Sequence, residues 1–185
     1  MAEANADEAG SDRANEPDEE AYSGLFGAIT YALRASQSRV FKLYVILGGL
    51  AALAVALLMT FALVTLIAQT ATVTGGILTV SRAFYVVIGL FVVGPLLAPI
   101  LLVARRHRRE GSRKRYDAAL ALTGFVFLAS IYLGLLISVP PSQQEAVSGV
   151  LAPVIRWLYA LPQHVGLLPP IIAASLIAVV HRLLR

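Results

Sequence analysis

Four apolar runs limit what this chain can become. Leu43 to Ala68, Ala83 to Ala104, Ala118 to Val139 and Val165 to Val180 are long and almost free of charge. An α-helix needs about 20 apolar residues to cross a hydrocarbon core roughly 30 Å thick, and each run approaches or exceeds that length. Lipid offers no partners to backbone N–H and C=O groups, so such runs must satisfy their hydrogen bonds internally, as helices. The expected fold is therefore an all-α membrane protein with four transmembrane helices, over about 43–68, 83–104, 118–139 and 165–180. The fourth run is the shortest and carries Pro169 and Pro170 near its start. Proline suits a first helical turn, where its missing N–H would have no intrahelical partner, and His181 and Arg182 can snorkel at the far end.

The flanks of the runs differ in character. Residues 1–20 hold eight acids and one base, with no apolar periodicity. Such a segment cannot bury enough surface to offset the entropy of ordering, so residues 1–21 are expected to be a disordered acidic tail and 22–185 a single transmembrane domain. The tail is also no secretory signal, because it opens acidic and its first apolar run starts only after forty residues. From Tyr22 the pattern changes: Leu25, Ile29, Ala32 or Leu33, and Val40 recur near helical spacing, with Arg34, Ser38 and Arg39 between them. A juxtamembrane helix over about 22–40 is expected. Between the third and fourth runs, Val147, Val150, Leu151, Val154, Leu158 and Leu161 form one apolar stripe opposite Glu145, Ser148, Arg156 and Gln163. That pattern predicts an amphipathic interfacial helix over about 147–161. Pro153 would break it near the middle, so that it can start there, and Trp157 and Tyr159 suit the headgroup region.

Orientation follows from the distribution of bases. Arg34, Arg39, Lys42, the seven bases of the run "RRHRREGSRKR", Arg182 and Arg185 all fall on one side of a four-span topology, against Arg82 and Arg156 on the other. The positive-inside rule then places both termini and the basic run in the cytoplasm of a cell-membrane protein, with the connections 69–82 and 140–166 outside. The seven bases, Arg105, Arg106, Arg108, Arg109, Arg113, Lys114 and Arg115, read first as a loop that determines topology. A second role is contact with anionic lipid or with an acidic partner surface, since each base near a charged leaflet gains about 1 kcal/mol. Nucleic acid is not an expected partner: a loop of about a dozen residues pinned at both ends has no room for a groove-reading element.

The runs themselves are poor in chemistry. Transporters and proton pumps generally place ionisable groups inside their spans, and the four cores hold none. Asp117 and His181 sit at expected interfaces, where capping or snorkelling is the commoner role. His107 and His164 lack neighbours at metal-ligand spacing, there is no Cys, and HExxH, GxSxG and phosphate-loop patterns are missing. No catalytic residue, metal or cofactor is expected. Pro95 and Pro99 in "GPLLAP" should bend the second helix and free the carbonyls of Phe91 and Pro95. Broken helices of this kind coordinate substrates in transporters, although neighbours commonly satisfy such groups in ordinary spans. Small residues recur four apart at Gly48, Ala52 and Ala56 and at Ser130, Gly134 and Ser138, which lets helices approach closely within one chain or between two copies.

Three stretches, "YSGLFGAITYALR", "FLASIYLGLLISVPPSQQ" and "RWLYALP", resemble an uncharacterised family of small four-span membrane proteins from halophilic archaea, classed as a domain of unknown function. The acidic tail and the excess of Arg over Lys are in keeping with a halophile. The resemblance implies a membrane location and a fold, and carries no activity. The expected function is that of a non-enzymatic integral membrane protein, a scaffold or accessory subunit whose partners are the lipid bilayer and other membrane proteins or a second copy. The alternative is a small transporter or channel subunit using the kinked second span.

Overall fold

A computed structural model of the chain describes residues 24–71, 76–110 and 113–184, less the side chains at 25, 26, 76–79, 109 and 110. Every regular element among them is helical. In chain order they are α1 (Gly24–Ala35), α2 (Arg39–Gln69), α3 (Gly76–Glu110), α4 (Lys114–Ile137), α5 (Ala152–Tyr159) and α6 (Leu168–Leu184), with 3-10 turns at Pro141–Gln143 and Gln163–Leu167. Four stretches are long and apolar enough to cross a membrane: Arg39–Gln69, Val80–Arg108, Lys114–Ile137 and Gln163–Leu184. They coincide with the four runs of the sequence. The acidic tail lies outside the described residues.

Three boundaries differ from expectation. The basic run is not simply a loop, because α3 continues through Arg105, Arg106, His107, Arg108 and Arg109 to Glu110. Arg is a good helix former, and 35 residues rise about 52 Å, so the last turns of α3 extend past the length a hydrocarbon core requires. Of the expected juxtamembrane helix over 22–40, Gly24–Ala35 is helical and 36–38 break it before α2 begins at Arg39, residues 22 and 23 lying outside the described residues. The break has a local cause. Ser36 Oγ accepts the Ser38 N–H at 3.2 Å, and Ser38 is the N-cap of α2, its own Oγ accepting from Phe41 N at 3.3 Å. The expected amphipathic helix over 147–161 is likewise shortened to Ala152–Tyr159. Gly149 adopts φ +102°, a left-handed conformation that interrupts a right-handed helix, and Pro153 lies in the first turn of α5, where it costs no hydrogen bond.

Pro169 and Pro170 occupy the first turn of α6. Its 17 residues rise only about 25 Å, and the preceding 3-10 turn at Gln163–Leu167 supplies the remaining length. Pro95 and Pro99 lie inside α3, which stays helical on both sides of them.

Packing is concentrated toward the basic end of the bundle. One apolar cluster joins Ala32 of α1, Phe41, Tyr44 and Val45 of α2, Ile100, Val103 and Ala104 of α3, and Tyr116, Leu120 and Ala121 of α4. A second joins Ala52, Leu96, Phe127, Ala173 and Ile177, from α2, α3, α4 and α6. Beyond these clusters the α2–α3 hairpin loses its neighbours. The buried residues of α2 all lie between Phe41 and Ala52, and between Val80 and Pro95 of α3 only Gly89 is buried. Phe61, Phe84 and Leu90 are 68%, 62% and 71% exposed. Only 6% of the apolar window of α2 is covered, against 44% for α4, so α4 is the axis of the bundle.

Candidate functional site at the basic end

Helical periodicity divides the basic run. Arg105 and Arg108 are exposed, whereas Arg106 and His107 turn inward and are buried. Arg113, Lys114 and Arg115, at the start of α4, are exposed. The Arg109 side chain lies outside the described residues. Of the described bases of the run, Arg105, Arg108, Arg113, Lys114 and Arg115 thus face outward and Arg106 enters the bundle.

The inward side meets a polar network drawn from four elements. Asp117 is fully buried in the first turn of α4. Its Oδ2 accepts from Ser36 Oγ at 2.7 Å, and its Oδ1 lies 3.0 Å from His107 Nε2. A carboxylate taken out of water requires such partners, and two hydrogen bonds supply them here. Its place at a helix N-terminus adds the favourable end of the helix dipole. His107 and Asp117 thus pair with each other, next to Ser36 in the turn between α1 and α2. His107 Nδ1 is covered and has no hydrogen-bond partner among the described residues.

Next to this pair, Tyr116 Oη shares a 2.7 Å hydrogen bond with His181 Nδ1. Arg106 lies with its guanidinium carbon 4.2 Å from the centre of the Tyr116 ring, and its Nη1 donates to the Leu184 carbonyl at 2.6 Å. That carbonyl ends α6, where no intrahelical N–H remains to satisfy it. Arg82 acts similarly at the other end of the molecule: its Nη2 donates to Thr70 O and Thr70 Oγ1, at 3.2 and 2.7 Å, across the C-terminus of α2. Each arginine thus supplies a helix C-terminus with both hydrogen bonds and the favoured sign of charge. On the outward side, Arg108 lies over the Tyr31 ring of α1 at 5.4 Å.

A family model described as Domain of unknown function (DUF8056) matches residues 1–185. The chain belongs to this family. No curated protein and no solved structure matches it.

The remaining residues singled out in this DUF8056 chain fall into the packing. Tyr44 of α2 is fully buried, with Gly48 on its own helix and Gly124 on α4 against its ring, and Phe125 edge-on at 5.2 Å. Its hydroxyl donates to Leu96 O at 2.7 Å, inside the stretch bounded by Pro95 and Pro99. A neighbouring helix thus hydrogen-bonds the backbone in the proline segment. Ala52 joins the second apolar cluster, and Ala56 lines a groove between α2 and α3. Ser130 is buried and bonds the Phe127 carbonyl of its own helix at 2.7 Å. Gly134 packs directly on the Gly166 carbonyl, and Ser138 Oγ donates to Gln163 O at 3.3 Å. These two positions seat the turn before α6 on the end of α4.

The buried network was missed because its members are spread over 145 positions, from Ser36 to His181. A helical wheel continued through Arg105–Glu110 would have placed His107 inward. The lone acid in the first turn of α4 was the other available signal. Chemically, the network joins elements; its carboxylate, imidazoles and guanidinium are engaged with one another and with a helix end.

Proposed function

We propose that this protein is a non-enzymatic multi-pass membrane protein of the cell membrane, both termini cytoplasmic, that serves as a scaffold or accessory subunit. The observation that carries this reading is packing confined to one end: the bundle is sealed at the basic end, and among the described residues the far half of the α2–α3 hairpin is without buried contacts to the other helices. That half presents Leu57, Phe61, Phe84 and Leu90 to lipid or to another membrane protein, a second copy included. The engaged state of the Asp117 network supports a structural role for it. Exposed Val150, Leu151, Val154 and Trp157 around α5 suit a helix lying in the outer interface. Outward Arg105, Arg108, Arg113, Lys114 and Arg115 suit anionic headgroups at the cytoplasmic leaflet. The acidic first twenty residues fit a halophilic archaeal cytoplasm.

The chain has no cysteine, so single cysteines report contacts without background. Phe61→Cys and Phe84→Cys should each crosslink in native membranes to a second copy or to another membrane protein, and Ala121→Cys, buried in α4, should not. Absence of any adduct at Phe61 and Phe84 would remove the support for a scaffold. Pro95→Ala combined with Pro99→Ala should leave function intact. Loss of a transport or conductance phenotype in that variant, with folding preserved, would instead support a transporter using α3.

A further inference from the structure

The exposed half of the hairpin is not smooth. Between α2 and α3 runs a groove of about 310 Å³ lined by Ala56, Met59 and Thr60 on one side and Tyr85, Gly89 and Val93 on the other. It exists because Ala56 and Gly89 are small. A Cβ placed on Gly89 would sit 3.4 Å from Met59 Cγ, so even one added carbon would reach the opposite wall. Thr60 Oγ1 is already bonded to Ala56 O at 2.8 Å, which leaves the groove apolar in character. Its volume lies at the small end of those that hold small molecules.

One cationic side chain stands on the same stripe of α3. Arg82 precedes Tyr85, Val86, Gly89 and Val93 at helical spacing, and its guanidinium crosses to Thr70 at the end of α2, closing the gap between the helices beyond the groove. Only Nη2 is engaged there among the described bonds. Nε is covered and has no hydrogen-bond partner among the described residues. A covered guanidinium N–H without an acceptor is costly, and an anionic oxygen arriving at that edge, with a small shift of the side chain, would satisfy it. From Arg82 to Val93 the helix rises about 16 Å, roughly half of a hydrocarbon core. The distance suits a molecule with its charged end at the interface and its chain along the groove.

We propose that this groove is a binding site for an anionic phospholipid, one acyl chain lying over Ala56 and Gly89 and the headgroup phosphate held by Arg82. A zwitterionic lipid would offer the same chain, but its cationic group would be repelled by the guanidinium, so the site selects net negative charge. The inference rests on α2 and α3 lying in lipid and is independent of which protein, if any, the hairpin meets.

The test uses the full chain in phosphatidylcholine vesicles doped with phosphatidylglycerol or phosphatidylcholine carrying a photoreactive acyl chain, with adducts mapped by peptide. In the wild type the phosphatidylglycerol probe should label 56–63 and 85–93 roughly tenfold more than the phosphatidylcholine probe, because both offer a phosphate and only phosphatidylcholine brings a cation near Arg82. Gly89→Leu should abolish that excess by filling the groove, with Ala56→Leu doing the same from the α2 side. Arg82→Gln should equalise the two probes while chain labelling persists. Equal labelling by both probes in the wild type, or an excess unchanged in both groove-filling variants, would overturn the proposal. Labelling of exposed α6 by either probe reports separately that the chain lies in the bilayer; without it, the membrane reading itself fails.

Discussion

At the scale of single residues, two buried polar contacts differ in what their loss should do. Asp117→Ala strands His107 and Ser36 in a covered site, and a buried polar group left without its partner costs about 1–3 kcal/mol. The detergent-solubilised protein should lose most of its resistance to thermal unfolding, and Asp117→Asn should lose less, because the amide oxygen still accepts from Ser36. Tyr44→Phe removes a single hydrogen bond to Leu96 O and keeps the ring, a loss of about 1 kcal/mol. Gly124→Ala should be worse than Tyr44→Phe, because the added methyl meets the Tyr44 ring, which is fully buried and cannot swing aside. Comparing the midpoints of the four variants with wild type checks the order. None of these contacts could be read from local sequence. Asp117 stands at the edge of an apolar run, where a cap or a snorkelling group is the ordinary case, and only the three-dimensional approach of Ser36 and His107 gives it its partners.

Among the elements, the helices are held by close approach where small residues allow it. Gly134 lies on the Gly166 carbonyl, so Gly134→Ala must push the turn before α6 away from α4; overpacking of this kind costs about 1–3 kcal/mol. Tryptic cleavage after Arg156, in the connection that precedes this turn, should become faster in that variant, while cleavage after Arg82 in the α2–α3 hairpin is unchanged. At α1, Ala32 is fully buried in the apolar cluster, where α1 packs chiefly on α3, and Ala32→Glu should release the helix, seen as faster tryptic cleavage after Arg34. The four apolar helices were readable from sequence, since run length alone requires them. Their ends were less so. Charge interrupts the apolar pattern, so the basic run reads as a loop, yet arginine continues a helix readily once the chain has left the hydrocarbon. Gly149 and the hydroxyls of Ser36 and Ser38 set the limits of α5 and α1 by backbone conformation and capping, which apolar periodicity does not register.

For the whole molecule, one end is sealed by an apolar cluster with a polar network above it, and the other opens into a hairpin without intramolecular cover. That asymmetry parallels the charge: the sealed end carries Arg39, Lys42, Arg105, Arg108, Arg113, Lys114, Arg115 and Arg182, and the open end Arg82 and Arg156. A bundle with so uneven a distribution should insert in one orientation only. Single cysteines decide the matter in a chain that has none: Gln37→Cys and Arg113→Cys at the basic end, Ala71→Cys and Ser148→Cys at the other, all at exposed positions. In intact cells a membrane-impermeant maleimide should modify Ala71→Cys and Ser148→Cys at once, and Gln37→Cys and Arg113→Cys only after permeabilisation. Modification of all four in intact cells, or of Ala71→Cys and Arg113→Cys from the same side, would contradict four helices crossing the membrane with the basic end inside.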